Sequence, residues 1–579
     1  MSALSIEELV ASVRAGASLE DRTIVGLDLS ERDLRSARLA GARLVNVRLD
    51  GADLRGADLS DAELEGSSLV ETNLEGATLE RAKLAAQNLT RARLAGARLT
   101  KTVFVGSLLD GADLRGAVLE DTAFLYASLR GATLAGTTLV RARLDGADLD
   151  EADFSEARGE ELTFGGARVS GARWQRTLLR RSDLSGVDAK NADWSTAALE
   201  ECALVGADLR GARLPKKLRG SILTDAKLTD GGLAGADLRG AHLDGQRLDG
   251  VDLQGADLSY AVMTEVDLRG ANLRGANLER AVLNDSDLRG AVLTEARLAF
   301  TSMARANLEG QDFSRRELEM MNFAAARLER ATFEGTSALR CLMPNANLTG
   351  ANLGHVTFRQ VILKDATLEG ARLERATFDM VELESIDWRP HDLRGLTFLA
   401  CLFRNANLCG MDLTGVDFTR STFNGADLRK ATLRGAVLEY ATFKDAKLDA
   451  ADLREVRGKG AFFGAASLTY ARLDGARLRN ATFTRADVAG ASLTSCDLRE
   501  SVLDHLAAED ALFEGSKLAY SELSHAKLTR ARFSGANLFY VNLHNVSDGG
   551  ARYEGANLTS ARRTDLDRLE GEAYRPPKP

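Results

Sequence analysis

The chain has 579 residues, 45% of them hydrophobic, and its 84 acidic residues outnumber its 75 lysines and arginines to leave a net charge of −9. Both signs alternate along it, as in Asp53, Arg55, Asp58 and Glu63, which excludes a basic stripe for nucleic-acid phosphates and a uniformly acidic coat alike. No apolar run is long enough to span a membrane, and the carboxylates recur with the period of the chain, so they single out no catalytic centre.

Met1 to Val10 lacks the basic start and apolar stretch of a signal peptide, so the expected location is the cytoplasm, with any export independent of such a signal. Ser5 to Arg14 reads as a short amphipathic helix. Ser5 is its cap, Glu7 and Glu8 lie in the first turn, and Ile6, Leu9, Val10 and Val13 form the apolar side.

From Ile24 to Leu558, leucine or phenylalanine returns every fifth residue with one slip of phase, and a small residue stands two places before most of them. Helices repeat apolar residues near 3.6 and half-buried strands near 2, so a sustained period of five requires a solenoid. Aromatic residues recur 20 apart: Phe403, Phe423, Phe443, Phe463 and Phe483 form one column, and Phe358, Phe378, Phe398 and Phe418 a second. Phe513, Phe533 and Tyr553 form a third, and Phe154, Trp174 and Trp194 a fourth. Four five-residue sides therefore close one turn, with ring over ring at the strand spacing of about 4.8 Å. Volumes compensate within turns, as a common core demands: Gly159 stands at a large position and Leu162 at a small one, Leu506 and Ala508 exchange sizes, and Trp194 has Ala189 beside it. The reading is all-β, a four-sided β-helix of about 27 coils. Residues 1–20 plug its first coil, because an open solenoid end presents unpaired strand edges.

The repeat runs over 21–214 and 223–560 and breaks at 215–222, where Pro215, Lys216, Lys217, Leu218, Arg219 and Gly220 hold one residue too few. The expectation there is a corner distortion, small loop or kink; a tolerated deletion, a hinge and a junction between two β-helices are the readings of it. Gly458 and Asp548 at large positions, and His391 after Pro390, are weaker irregularities, read as imperfections that solvent tolerates, with a bulge or local loop as the alternative. Cys202, Cys341, Cys401 and Cys496 take the small inward position and only Cys409 points out, so they are core filler, with no pair placed for a disulfide or a thiolate metal site. His505 and His525 lie one turn apart, preceded by Asp504 and Ser524, but no third ligand is evident, and the pair reads as chance. No metal or other cofactor is expected.

Tyr260, Phe300, Met320, Met380, Tyr440, Tyr520 and Tyr540 share the fifth position of one side and so line one corner, with Arg280, Arg340 and Arg420 in its gaps. Such residues either pack flat on neighbouring coils or mark a contact. With the out-of-pattern Phe539, Tyr520 and Tyr540 are the densest part of this candidate partner-binding edge. Residues 561–579 are expected to hold a C-terminal cap, over Thr564 to Leu569, and a disordered tail containing Pro577.

The units Ala207-Asp208-Leu209, Ala271-Asn272-Leu273, Ala276-Asn277-Leu278 and Ala536-Asn537-Leu538 resemble the A-(D/N)-L-x-x pattern of the pentapeptide-repeat family. The resemblance covers all but about 20 residues at each end and implies a right-handed quadrilateral β-helix. It also implies a bacterial interaction protein, since long members are often bacterial and some accompany type VI secretion machinery as accessory or cargo-associated factors. The expected function is accordingly a non-catalytic, rod-like scaffold that binds a protein partner. The alternative follows the branch of the family that imitates DNA and protects or inhibits DNA gyrase and topoisomerase IV; the abundant arginine here dilutes that mimicry. A homodimer through the C-terminal coils is a further expectation. No small-molecule substrate, direct nucleic-acid contact or membrane span is expected.

Overall fold

The computed structural model describes residues 5–228 and 232–575. The tail with Pro577 lies outside the described residues. The chain divides into two compact units, Met1–Thr301 and Ser302–Pro579, and each is an all-β solenoid. Parallel bridges join residues 20 apart on four sides of a turn. In the first unit Asp33↔Asp53, Arg38↔Asp58, Arg43↔Glu63 and Arg48↔Ser68 do this, and in the second Thr422↔Thr442, Asp427↔Lys447, Thr432↔Asp452 and Val437↔Arg457. The bridging residue is the second of each five. Its neighbours on both sides, such as Ala52 and Leu54, therefore point inward and are fully buried.

The fifth residue turns the corner. It takes the left-handed conformation whether glycine, as Gly56 (φ 63°), or not, as Asp61 (φ 57°). None of the described left-handed residues is β-branched, as the steric cost of φ > 0 demands. Among the described residues of the regular repeat, two at the fifth position do not adopt it, Thr196 and Pro390. At Pro390 the ladder suffers: Asp392 bridges neither neighbouring turn, while Asp387↔Asn407 and Thr397↔Asp417 on either side are intact. The irregularity expected at His391 is therefore real, and it directly follows Pro390, which has no N–H to give the ladder. At Gly458 the imperfection is tolerated, with neither bulge nor loop. Arg457 bridges Val437 in the preceding turn and Arg477 in the next, and a Cβ on Gly458 would stand 2.9 Å from Leu478 Cδ2, so the neighbour fills the space.

Inside, like stacks on like. Phe423 lies 4.8 Å from Phe403 and 4.9 Å from Phe443, ring planes within 6°, and the column continues at 4.9 and 4.7 Å through Phe463 to Phe483. Where the bridges run together, short strands form, as at Thr357–Arg359, Thr377–Asp379 and Thr397–Leu399, which place Phe358, Phe378 and Phe398 in register. Serine, threonine or cysteine at the small inward position stays satisfied by donating to the carbonyl 23 residues earlier: Thr72 to Leu49 at 2.7 Å, Thr336 to Phe313 at 2.6 Å. Cys202, Cys341, Cys401 and Cys496 are buried there, and burial pushes the thiols of Cys202 and Cys401 up to about 12 and that of Cys341 to about 11. Only Cys409 is part-exposed. A thiol titration with Ellman's reagent at pH 8 should therefore count one reactive cysteine in the native protein and five after unfolding; two or more in the native state would contradict the packing.

Three sides keep the ladder across the deletion at 215–222, while on the fourth Gly232 forms no bridge. Bridges cross it at a spacing of 19, as Ala198↔Lys217, Ala203↔Ile222 and Asp208↔Lys227, and the 20-residue spacing resumes at Lys217↔Asp237. Pro215 is buried while Leu214 is only half-buried, and Lys216 Nζ bonds the Ala234 carbonyl at 2.6 Å. The boundary between the two compact units falls elsewhere in the sequence, at 301/302.

Helix α1, Ile6–Arg14, begins with a capping box: Glu8 N–H donates to Ser5 Oγ (3.3 Å) and Ser5 N–H to Glu8 Oε2 (2.8 Å). It buries Leu9 and Val13. Helix α2, Leu566–Ala573, lies later than the cap expected over Thr564 to Leu569 and buries none of its residues.

Candidate interaction surface

The backbone alone dictates where the candidate edge stands, because its members other than Phe539 occupy left-handed corner positions and project outward. In the first unit, Tyr260 (φ 60°) and Phe300 (φ 62°) flank Arg280, whose guanidinium lies 4.5 Å over the Phe300 ring and 5.8 Å from that of Tyr260. The cation lies on the Phe300 ring, a contact of about 0.5–2 kcal/mol, while Tyr260 stays exposed. In the second unit the corner is interrupted. Met320, Met380 and Tyr440 are exposed but separated by polar residues: Arg340 bonds Gln360 at 2.9 Å, and Gln360 Nε2 reaches Met380 Sδ at 3.6 Å. The Tyr440 ring lies against Gly460 one turn on, where an added Cβ would come within 2.8 Å of it. Tyr126 over Gly146 and Tyr470 over Gly490 repeat this arrangement on other corners, and the one-corner pattern picks out neither tyrosine.

Only Tyr520, Phe539 and Tyr540 meet. The two tyrosines stack at 5.5 Å, and Phe539 stands edge-on to them at 5.6 and 4.7 Å. Tyr520 is 58% exposed and Tyr540 44%, so much of this aromatic surface faces water.

The family of the chain is settled by its sequence. The model of pentapeptide repeats matches at 48–85, 88–124, 126–158, 177–214, 236–275, 247–285, 271–310, 341–379, 401–439, 419–455, 461–500 and 509–545, well over half of the chain. The chain belongs to the pentapeptide-repeat family. Among solved structures, this pentapeptide-repeat protein is similar to full-length QnrB1, a plasmid-mediated fluoroquinolone resistance protein, with 20% identity over 38% of this chain and 92% of that one (TM-score 0.27). It is also similar to HetL, a pentapeptide repeat protein involved in heterocyst differentiation regulation from the cyanobacterium Nostoc sp. strain PCC 7120, with 24% identity over 52% and 97% of the chains (TM-score 0.17). Comparison with curated proteins gave no match.

The charged surface of this pentapeptide-repeat protein is paired locally. In the repeated Asp-Leu-Arg segment, the arginine folds back on the aspartate two residues earlier: Nε and Nη2 of Arg55, Arg269 and Arg429 bond both carboxylate oxygens of Asp53, Asp267 and Asp427 at 2.6–2.9 Å. The same fork from Arg394 holds the Asp392 carboxyl down to about 2. An open cleft of about 380 Å³ beside Pro390 is lined by Arg389, His391, Asp392, Arg394, Cys409, Gly410, Met411 and Asp412. Its ionic groups are engaged with one another, Arg389 with Asp387 and Arg394 with Asp392, and burial lowers the His391 pKa, so they do not converge on a reacting atom.

The histidine pair has more company than its spacing revealed. His505 and His525 stack at 4.7 Å, His525 and His544 meet at 5.4 Å, and Glu572 from α2 joins the last two, their ligand atoms all within 4.8 Å of one another.

Proposed function

We propose that this protein is a non-catalytic scaffold that binds a protein partner, and that Tyr520, Phe539 and Tyr540 are its anchor. What carries the reading is that these three rings alone on the candidate edge touch one another while remaining open to water; clustered aromatic anchors of this kind dominate the energetics of protein interfaces. Their backbone is pinned by the ladder on both sides, with Tyr520 N–H on the Phe539 carbonyl (2.9 Å) and Tyr540 N–H on Thr559 (3.1 Å), so little entropy is lost on docking. In a pull-down from native lysate, Tyr520→Ser/Tyr540→Ser should lower partner recovery at least about tenfold with the fold unchanged. Undiminished recovery would remove the anchor. A dimer of the wild type that dissociates in the variant would identify the partner as a second copy of the chain.

The reading extends to an accessory role in bacterial type VI secretion, tested by retention on immobilised spike or sheath components. Gyrase binding by DNA mimicry is the weaker alternative, because the arginine forks neutralise the very carboxylates that would imitate phosphates. Inhibition or protection of gyrase in a supercoiling assay at micromolar protein would favour it.

A further inference from the structure

Helix α2 has eight residues and buries none of them. A helix of that length does not persist alone in water, so its contacts with the last turns must hold it. Those contacts are polar. The Asp565 backbone N–H, at the helix N-cap, donates to His544 Nδ1 (3.0 Å), and the Asn545 N–H donates to Thr564 Oγ1 (3.2 Å). Glu572 Oε2 stands 3.3 Å from Nε2 of both His525 and His544, while its Oε1 accepts from Arg568 Nε at 2.7 Å. The His544 side chain is only 2% exposed, so its bonds matter.

Two histidines and a carboxylate are also the ligands of many zinc sites. The hydrogens argue otherwise. A backbone N–H can only donate, so Nδ1 of His544 is an acceptor and the neutral ring carries its hydrogen on Nε2, facing Glu572. A metal on Nε2 would shift that hydrogen to Nδ1 and set two N–H groups head to head across 3.0 Å.

We propose that Glu572, His525 and His544 form a proton-sensitive clasp that fastens helix α2 over the last turns at neutral pH and releases it in acid. Protonation loosens the clasp at its acidic end, where a proton on Glu572 removes the charge that both imidazoles share. Arg568 chiefly, then His544 and His525, hold the Glu572 carboxyl below its ordinary 4.5, against the opposing effect of burial. A carboxyl depressed in the folded state stabilises above its unfolded value and loses that contribution as pH falls through the lower one, so release by this group is complete only below pH 4.5. The remaining charged neighbours are Asp565, whose carboxylate caps the helix at Arg568 N–H, and, behind His525, His505 with Asp504 at 3.2 Å. Release opens the His544 ring and the chain end beyond Asn545.

Hydrogen exchange on the full chain, corrected for intrinsic rates, tests the clasp at pH 7.5 and 2.5. Amides of Leu569 to Tyr574 should be protected about tenfold more in the wild type than in Glu572→Ala at pH 7.5, and wild-type protection should fall to the variant's level at pH 2.5, with the turns up to Leu538 unchanged. Alanine favours helix over glutamate, so a loss in the variant cannot come from propensity. Equal protection in wild type and variant at pH 7.5, or wild-type protection that survives pH 2.5, would overturn the proposal. So would protection that rises on adding zinc to the wild type and not to the variant, which would make the cluster a metal site.

Discussion

Phe443→Ala should lower the unfolding free energy by about 3–5 kcal/mol, among the largest effects of any single truncation in the chain. Phe443 is fully buried between Phe423 and Phe463, each 4.9 Å away with planes within 6°. The walls around it cannot close on the space left behind, because every side of the turn is held by ladder bonds such as Phe443 N–H to Phe462 O at 2.6 Å and Phe423 N–H to Thr442 O at 2.7 Å. In a solenoid each turn is stabilised by its two neighbours, so the loss weakens both interfaces. Phe483, at the end of the column, stacks on Phe463 alone. Phe483→Ala should therefore cost less, by the worth of one aromatic pair, about 0.5–1.5 kcal/mol. Urea unfolding of both variants, followed by circular dichroism, would show it; equal losses would mean that the stacking adds nothing beyond burial.

The second large effect is a rescue. Leu162→Ala should cost about 2–5 kcal/mol by leaving a cavity, and Gly159→Leu about 1–3 kcal/mol or more by overfilling the same region. A Cβ built on Gly159 already lies 2.6 Å from Leu162 Cδ1 and from Leu179 Cδ2. Leu162, from the small position of the next side, occupies the room that residue 159 would normally fill. Gly159→Leu combined with Leu162→Ala restores the ordinary arrangement and should return stability to near that of the wild type. The double-mutant cycle measures this coupling directly, and simple addition of the two losses would show that the residues do not share one space.

Much of this was legible in the chain. Leu54 could be placed in the core from its spacing, and Phe423 over Phe443 from the 20-residue recurrence, because one local rule is repeated and errors do not accumulate along a ladder. The candidate edge was legible as position and not as contact. The same corner that carries Tyr520 against Tyr540 carries Tyr440 against a glycine, and Tyr260 and Phe300 hold an arginine between them. Spacing names the corner, but the residue one turn on decides what the ring touches.

The sequence by itself determined the period, the inward and outward faces and the four sides, since each follows from local sterics and burial repeated every five residues. The tertiary structure alone decided which defects matter: Gly458 is silent because Leu478 fills its place, while after Pro390 the ladder is open at Asp392, and after Thr196, another corner without the left-handed conformation, it is not. It alone also joined His544 to Glu572, 28 residues later, because α2 lies outside the repeat and no period relates a helix to the turn it covers.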